Sequence, residues 1–271
     1  MDVILQAVRA AGRAAVLPRF RALAVGEVSQ KTDFADLVTV ADTEAEALIG
    51  AALAQTWPEA RVIGEEAVAA DPGLRAVMAG LGWQVIVDPV DGTWNFAKGL
   101  ATFGMIAAAV LDGVAKYGLL YDPLLDDWVE VTAGGAARFV QADGRSQVLW
   151  VSQVSDPAQM CGFIPVGLFK AEQKRAAVLA GLGYGRVTSL RCSCHEYRLM
   201  AQGHVEFVLS GPEPHPWDHA AGVLAVRAAG GVARFLDGAA YDLGRRAGVL
   251  VVANSEATWD RVAQDYAALA D

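Results

Sequence analysis

The chain has 271 residues, 54% of them hydrophobic and 20% charged, which is ample for a large core in one or two closely joined lobes. Its 22 basic residues against 31 acidic ones give a net charge of −9 with no prominent basic run, a balance that disfavours nucleic acid as a partner. No stretch approaches the ~20 apolar residues of a membrane span, and Arg9 and Arg13 interrupt the N-terminal apolar residues, so neither a membrane segment nor a signal peptide is expected.

Val3, Ile4, Ala7, Val8, Ala11, Ala14 and Ala15 recur at helical spacing, which predicts an amphipathic helix over 2–17 with Pro18 interrupting it. A short strand at 37–40 precedes a helix from Thr43 to about Gln55, where Thr43-Glu44-Ala45-Glu46 has the form of a capping box and Asp42 would sit just before the helix. Strands follow at 60–64 and 83–88. A meander is expected at 105–111, 114–121 and 128–132, its first hairpin marked by Asp112-Gly113. Residues 133–147 read as a polar, glycine-bearing connection. Beyond it, helices at 170–181, 194–203, 218–230 and 255–270 alternate with strands at 149–152, 186–190, 205–209 and 249–253, a mixed α and β pattern. Cys161, Cys192 and Cys194 are odd in number, and Cys192-Ser193-Cys194 is spaced too closely for an ordinary disulfide, so free thiols in a reducing cytoplasm are expected.

The chemistry concentrates at 85–96. The β-branched run Val85-Ile86-Val87 delivers Asp88 and Asp91, and Gly92-Thr93 follows at once. Paired carboxylates can hold hard cations such as Mg²⁺. If a helix begins after them, the backbone N–H groups of Gly92 and Thr93 can take phosphate oxygens. The bland alternative is a strand ending in an Asp-Gly turn, with Pro89 closing the ladder. Elsewhere, Gly64-Glu65-Glu66 ends another apolar run, and Trp217-Asp218 opens a small-residue segment. Taken singly, Asp42 reads as a helix cap, Asp218 as a cap for a helix near Ala220, Glu66 as solvent-facing or a partner for a base, and Trp217 as a packing residue. His195, His204, His215 and His219 lack a convincing zinc spacing and read as structural or rim residues.

The order Lys31, Asp36-Leu37-Val38-Thr39-Val40-Ala41-Asp42, Gly64-Glu65-Glu66, Asp88-Pro89-Val90-Asp91-Gly92-Thr93 and Trp217-Asp218-His219-Ala220-Ala221-Gly222 resembles the inositol monophosphatase family of Mg²⁺-dependent, Li⁺-inhibited phosphatases, over essentially the full chain. The resemblance implies a layered α/β/α/β/α sandwich, with an N-terminal lobe of about 1–135 carrying most metal ligands. A C-terminal lobe of about 136–271 would supply Asp218 and the substrate pocket. It further implies two or three Mg²⁺ per site. Glu65, Asp88 and the Val90 carbonyl would hold one ion, Asp88, Asp91 and Asp218 a second, and Glu65 and Asp42 a weaker third. Thr93, helped by Asp42, would orient or deprotonate the attacking water, and the Gly92 and Thr93 N–H groups would bind phosphate. A small phosphate ester as substrate, a cytoplasmic location and a homodimer are implied in the same way.

Inositol monophosphate is the leading substrate on that resemblance; histidinol phosphate, fructose 1,6-bisphosphate and adenosine 3′,5′-bisphosphate are alternatives, because related folds process all of them. The substrate pocket departs most from the family pattern. Arg191-Cys192-Ser193 stands where the family has Gly-Thr-Ala, and Ser210 stands where an acidic residue usually meets the polyol, with Glu213 shifted toward Asp218. Arg191 could clamp a second anionic group or pair with Glu196. Haloacid-dehalogenase-type enzymes carry Asp-x-Asp-Gly-Thr, but here Pro89 and Val90 separate the acids by one residue more. A catalytically silent, phosphate-binding relative would be marked by a missing ligand, and none is missing.

Overall fold

Val85, Ile86 and Val87 lie in the nine-residue strand Trp83–Asp91, whose side chains are buried on both faces. The computed structural model describes residues 1–32 and 34–270. Trp83–Asp91 belongs to a seven-stranded sheet in the order Arg61–Gly64, Trp83–Asp91, Gly104–Leu111, Val114–Asp122, Asp127–Thr132, Arg138–Val140 and Ser146–Val148. Only the first pair is parallel. A five-stranded sheet runs in the order Arg186–Thr188, Cys161–Phe163, Phe207–Leu209, Leu250–Ala253 and Val232–Phe235, and the short strands Val28–Gln30 and Leu37–Thr39 pair with each other.

The period-2 alternation of the strands builds the layers. Val85, Val87, Ala107, Ala109 and Leu119 pack on Ile4, Val8, Ile49 and Leu53 of the helices Asp2–Ala11 and Val40–Thr56. Ile86, Ala108, Val110 and Leu120 face the other way, onto Tyr197, Met200, Ala221 and Val226 of Ser193–Ala201 and Pro216–Ala228. Val208, Val252 and Phe235 of the second sheet join this cluster from the far side. The outer face of that sheet, with Phe207, Leu209 and Val251, is covered by Ala177, Trp259 and Val262 of Ala171–Gly181 and Glu256–Asp265. Helices, sheet, helices, sheet, helices: the mixed α/β layered sandwich is the fold.

Several boundaries differ from the sequence reading. The first helix is α-helical only over Asp2–Ala11, continues as a π turn over Gly12–Val16 and ends in a 3-10 turn, Leu17–Arg19, that tolerates the missing N–H of Pro18. Thr39, not Thr43, caps the second helix, so Asp42 lies inside its first turn rather than before it. Residues 133–147 are not merely a connection: two short strands, Arg138–Val140 and Ser146–Val148, lengthen the meander. No strand forms at 149–152, although Leu149 and Val151 are buried and their N–H groups bond Ala137 O and Ala229 O. Cys161–Phe163 and Val232–Phe235 are strands too short for a period to announce them. The last helix stops at Asp265, and a 3-10 turn, Ala267–Leu269, follows.

Candidate functional site

Residues 88 and 91 of an unbroken strand would point to opposite faces of the sheet. Here Asp88 pairs with Ile106 and Asp91 with Gly104, so three steps along one strand oppose two on its neighbour. This bulge admits Pro89, which has no N–H for the ladder, and turns both acids to one side. The strand therefore carries on through Asp91 instead of ending in a turn at Pro89. Asp218 arrives from the helix Pro216–Ala228, which starts two residues earlier than expected with Pro216 in its first turn, so the acid sits near the positive helix end. Ligand oxygens of Asp88, Asp91 and Asp218 all lie within 4.8 Å of one another.

Asp88 and Asp91 are buried and Asp218 is half-buried; among the described residues no Lys or Arg forms an ion pair with any of the three. Burial, together with Glu65 and the neighbouring acids, holds Asp88 and Asp218 well above the usual carboxylate range. Burial raises Asp91 to about 6 despite hydrogen bonds from Cys194, Cys192 and Ser193. An all-oxygen cluster that repels itself and has no internal base suits a hard divalent cation.

Glu65 lies beside this triad, at the start of the helix Glu65–Ala70. Lys31 Nζ donates to Glu65 Oε1 and to Glu66 Oε1, each at 2.7 Å. Burial alone would lower the lysine, yet the two carboxylates keep it above its ordinary value. Burial also raises Glu66 to about 7, with Lys31 opposing the shift. Glu66 is thus the partner of a base. Glu46 caps the same short helix, accepting Glu66 N–H and Ala67 N–H at 2.9 Å each. Gly64 makes that reach possible, since a Cβ there would lie 2.1 Å from Glu46 Oε2.

Gly92 has φ +84°, a left-handed conformation that suits glycine, and it leads into the five-residue helix Thr93–Ala97. Thr93 Oγ1 is 2.9 Å from Val90 O and 3.0 Å from Asp42 Oδ1. The hydroxyl has one proton for two acceptors. Asp42 is buried, and that burial raises it to about 6, opposed by hydrogen bonds from Thr39 and Thr93.

The four residues read as substrate pocket fare differently. Arg191 is exposed, with φ +54°, and its guanidinium lies over the Trp94 ring at 4.4 Å. Glu196 turns inward instead, accepting Leu190 N–H at 2.7 Å and the Ser189 hydroxyl at 3.1 Å. Ser193 opens the helix Ser193–Ala201 next to Asp91. Ser210 is buried; its hydroxyl donates to Gly211 O at 2.7 Å and accepts Leu250 N–H at 2.8 Å, which corrects the reading of it as a polyol contact. Glu213 is exposed in the loop before Pro216. Trp217 is buried and stacks on His215 at 4.6 Å. His215 also meets Arg75 at 2.8 Å, His219 meets Tyr197 at 3.0 Å, and His195 meets Phe103 O at 2.9 Å, all structural bonds.

Sequence reasoning missed Glu46, Thr39 and the thiol of Cys192 as supports of the acids. Glu46 did carry a signal, because it stands four residues after Asp42 and so shares its helix face. Cys192 carried none; only the fold brings it to Asp91.

A family described as the inositol monophosphatase family matches residues 1–269 of the chain. The Thermotoga maritima fructose-1,6-bisphosphatase/inositol-1-monophosphatase is 28% identical over 214 residues, 77% of this chain and 75% of that protein. The Salmonella typhimurium Nus factor SuhB is also 28% identical, over 244 residues, 86% and 83% of the two chains. In fold, the solved Thermotoga maritima IMPase superposes with a TM-score of 0.81 over 99% of this chain and 96% of its own, at 23% identity.

Proposed function

The chain belongs to the inositol monophosphatase family and is a phosphatase hydrolase, and from that premise we propose that it is a Mg²⁺-dependent, Li⁺-sensitive phosphomonoesterase acting on a small phosphorylated metabolite. The observation that carries the reading is the triad of Asp88, Asp91 and Asp218, with ligand oxygens within 4.8 Å and, among the described residues, no basic side chain bonded to them. Oxygen donors alone favour Mg²⁺ over zinc or copper. Glu65, Asp88 and the Val90 carbonyl would hold one ion, with Asp88, Asp91 and Asp218 holding another; Glu65 and Asp42 would serve a weaker third. Bound there, the ions supply charge neutralisation and a water of lowered pKa.

The chain's own groups do the rest. Thr93 Oγ1, tied to Val90 O and Asp42, orients the attacking water, and Asp42 takes the proton through that hydroxyl. The Gly92 and Thr93 N–H groups, at the start of a helix, hold phosphate oxygens. No side chain serves as a covalent nucleophile. On this reading the protein works as a cytoplasmic homodimer.

Inositol monophosphate is the first substrate to test. Arg191 favours a second reading, in which the substrate carries another anionic group: its exposed guanidinium is stacked on Trp94, one residue from the site's turn at Gly92-Thr93. That class includes fructose 1,6-bisphosphate and adenosine 3′,5′-bisphosphate; histidinol phosphate lacks the second anion. The test is phosphate release from these four compounds with Mg²⁺ and with chelator, alongside Asp91→Asn. Mg²⁺-dependent turnover that vanishes in a folded Asp91→Asn protein is expected. An active Asp91→Asn enzyme would overturn the assignment. No turnover of any compound by folded, Mg²⁺-loaded wild type would favour a silent, phosphate-binding role.

A further inference from the structure

Asp91 is held by donors from a neighbouring helix head. Cys194 N–H donates to Asp91 Oδ2 at 2.5 Å, and the Cys192 thiol lies 3.1 Å from the same oxygen. Ser193 N–H bonds the same carboxylate. These donors come from the head of the helix Ser193–Ala201, where Cys192 occupies the capping position. A serine, threonine or aspartate there would normally turn back on its own helix. The Cys192 sulfur faces His195 N–H of its own helix, but its S–H reaches across to Asp91, so an acid from the strand Trp83–Asp91 also caps this helix.

The other end of the helix is fixed too. Arg198 donates to Leu120 O at 3.0 Å and Asp127 O at 3.1 Å and pairs with the Asp127 carboxylate. The helix head therefore cannot drift from the sheet that carries Asp91. Cys192 and Asp91 are only 2% and 6% exposed, so no water replaces the thiol cheaply.

We propose, resting on the metal-site reading of Asp91, that Cys192 is a positioning residue: its thiol fixes Asp91 Oδ2 and so aims Oδ1 at the cation. A second-sphere donor of this kind typically changes metal affinity about 10–100-fold when removed. The geometry asks only for a short donor at this position, so a hydroxyl can replace the thiol and a methyl cannot.

The test titrates full-length wild type, Cys192→Ser and Cys192→Ala with Mg²⁺ in the absence of substrate, by calorimetry and by the Mg²⁺-dependent rise in Tm. Wild type and Cys192→Ser should bind alike, and Cys192→Ala about tenfold more weakly or worse, each rise in Tm being read from that protein's own Tm in chelator. Wild-type affinity in Cys192→Ala overturns the proposal, as does Cys192→Ser binding as weakly as Cys192→Ala. Absence of Mg²⁺ binding by wild type overturns the metal-site reading itself, and this proposal falls with it.

Discussion

Asp42 and Thr93 are joined across two elements: Asp42 Oδ1 lies 3.0 Å from Thr93 Oγ1, while Asp42 Oδ2 accepts Thr39 N–H at 2.9 Å and the Thr39 hydroxyl at 2.5 Å. One oxygen caps a helix and the other serves the site. The cap and catalytic readings of Asp42, alternatives in the sequence, are thus compatible in the fold.

Asp42→Asn separates those two jobs. Its amide oxygen can keep both Thr39 bonds, so the helix cap survives. Its NH₂ would then face Thr93, which must accept a hydrogen bond instead of donating one and can no longer pass a proton to residue 42. We expect kcat to fall roughly 10²–10⁴-fold, the usual worth of general-base assistance, with Tm close to wild type. Steady-state kinetics at saturating Mg²⁺ would decide; wild-type kcat in Asp42→Asn would remove Asp42 from the mechanism.

Lys31 is the counter-charge of Glu65 and Glu66, and all three side chains are largely buried, at 16%, 24% and 12% exposure. Lys31→Met removes the cation and leaves two carboxylates facing each other. Partial exposure softens the loss, and a cost of about 1–3 kcal/mol is expected in chelator. Mg²⁺ bound by Glu65 should offset part of it, so the Mg²⁺-induced rise in Tm should be larger in Lys31→Met than in wild type. Equal rises would mean that Lys31 and the ion do not share Glu65.

Gly64 is required by contact, since its φ of −105° is open to any residue. A methyl at this position would meet Glu46 Oε2 at 2.1 Å and Glu46 Cγ at 2.8 Å. Gly64→Ala should therefore push Glu46 off the Glu66 and Ala67 N–H groups, losing a charged helix cap worth about 1–2 kcal/mol. Glu65 begins that helix, so Mg²⁺ affinity should fall together with Tm. A Gly64→Ala protein with wild-type melting would show that Glu46 can cap the helix from another position.

The layers were legible because strands such as Trp83–Asp91 and helices such as Asp2–Ala11 carry long, regular apolar patterns. The acids were legible because they follow those patterns in short motifs. The bulge between Asp88 and Asp91 was not: Pro89 signals an interruption, but only pairing with the 104–111 strand fixes its sense. Cys161–Phe163 was unreadable because a three-residue run has no period, and it becomes a strand only between two neighbours. Ser210 misled because its place in the chain suggested a pocket, whereas its hydroxyl is consumed by backbone partners at the end of a buried strand.

Glu196 gives the protein a pH dependence set chiefly by its own burial, with Asp91 adding to it. It is buried, accepts Leu190 N–H and the Ser189 hydroxyl, and is pushed from an ordinary 4.5 up to about 7, chiefly by burial. A carboxyl whose folded pKa is raised binds its proton more tightly when folded. Its contribution is therefore complete below 4.5 and is lost as pH rises toward 7. Glu196→Gln keeps an acceptor for both donors and has no charge to bury. Across that window wild type should lose roughly 3 kcal/mol relative to Glu196→Gln, at about 1.4 kcal/mol per pH unit, and the difference should level off above it. Urea unfolding of both proteins at several pH values, in chelator, measures this directly. Parallel stability curves from pH 4.5 to 7 would mean that Glu196 keeps its ordinary pKa in the folded protein.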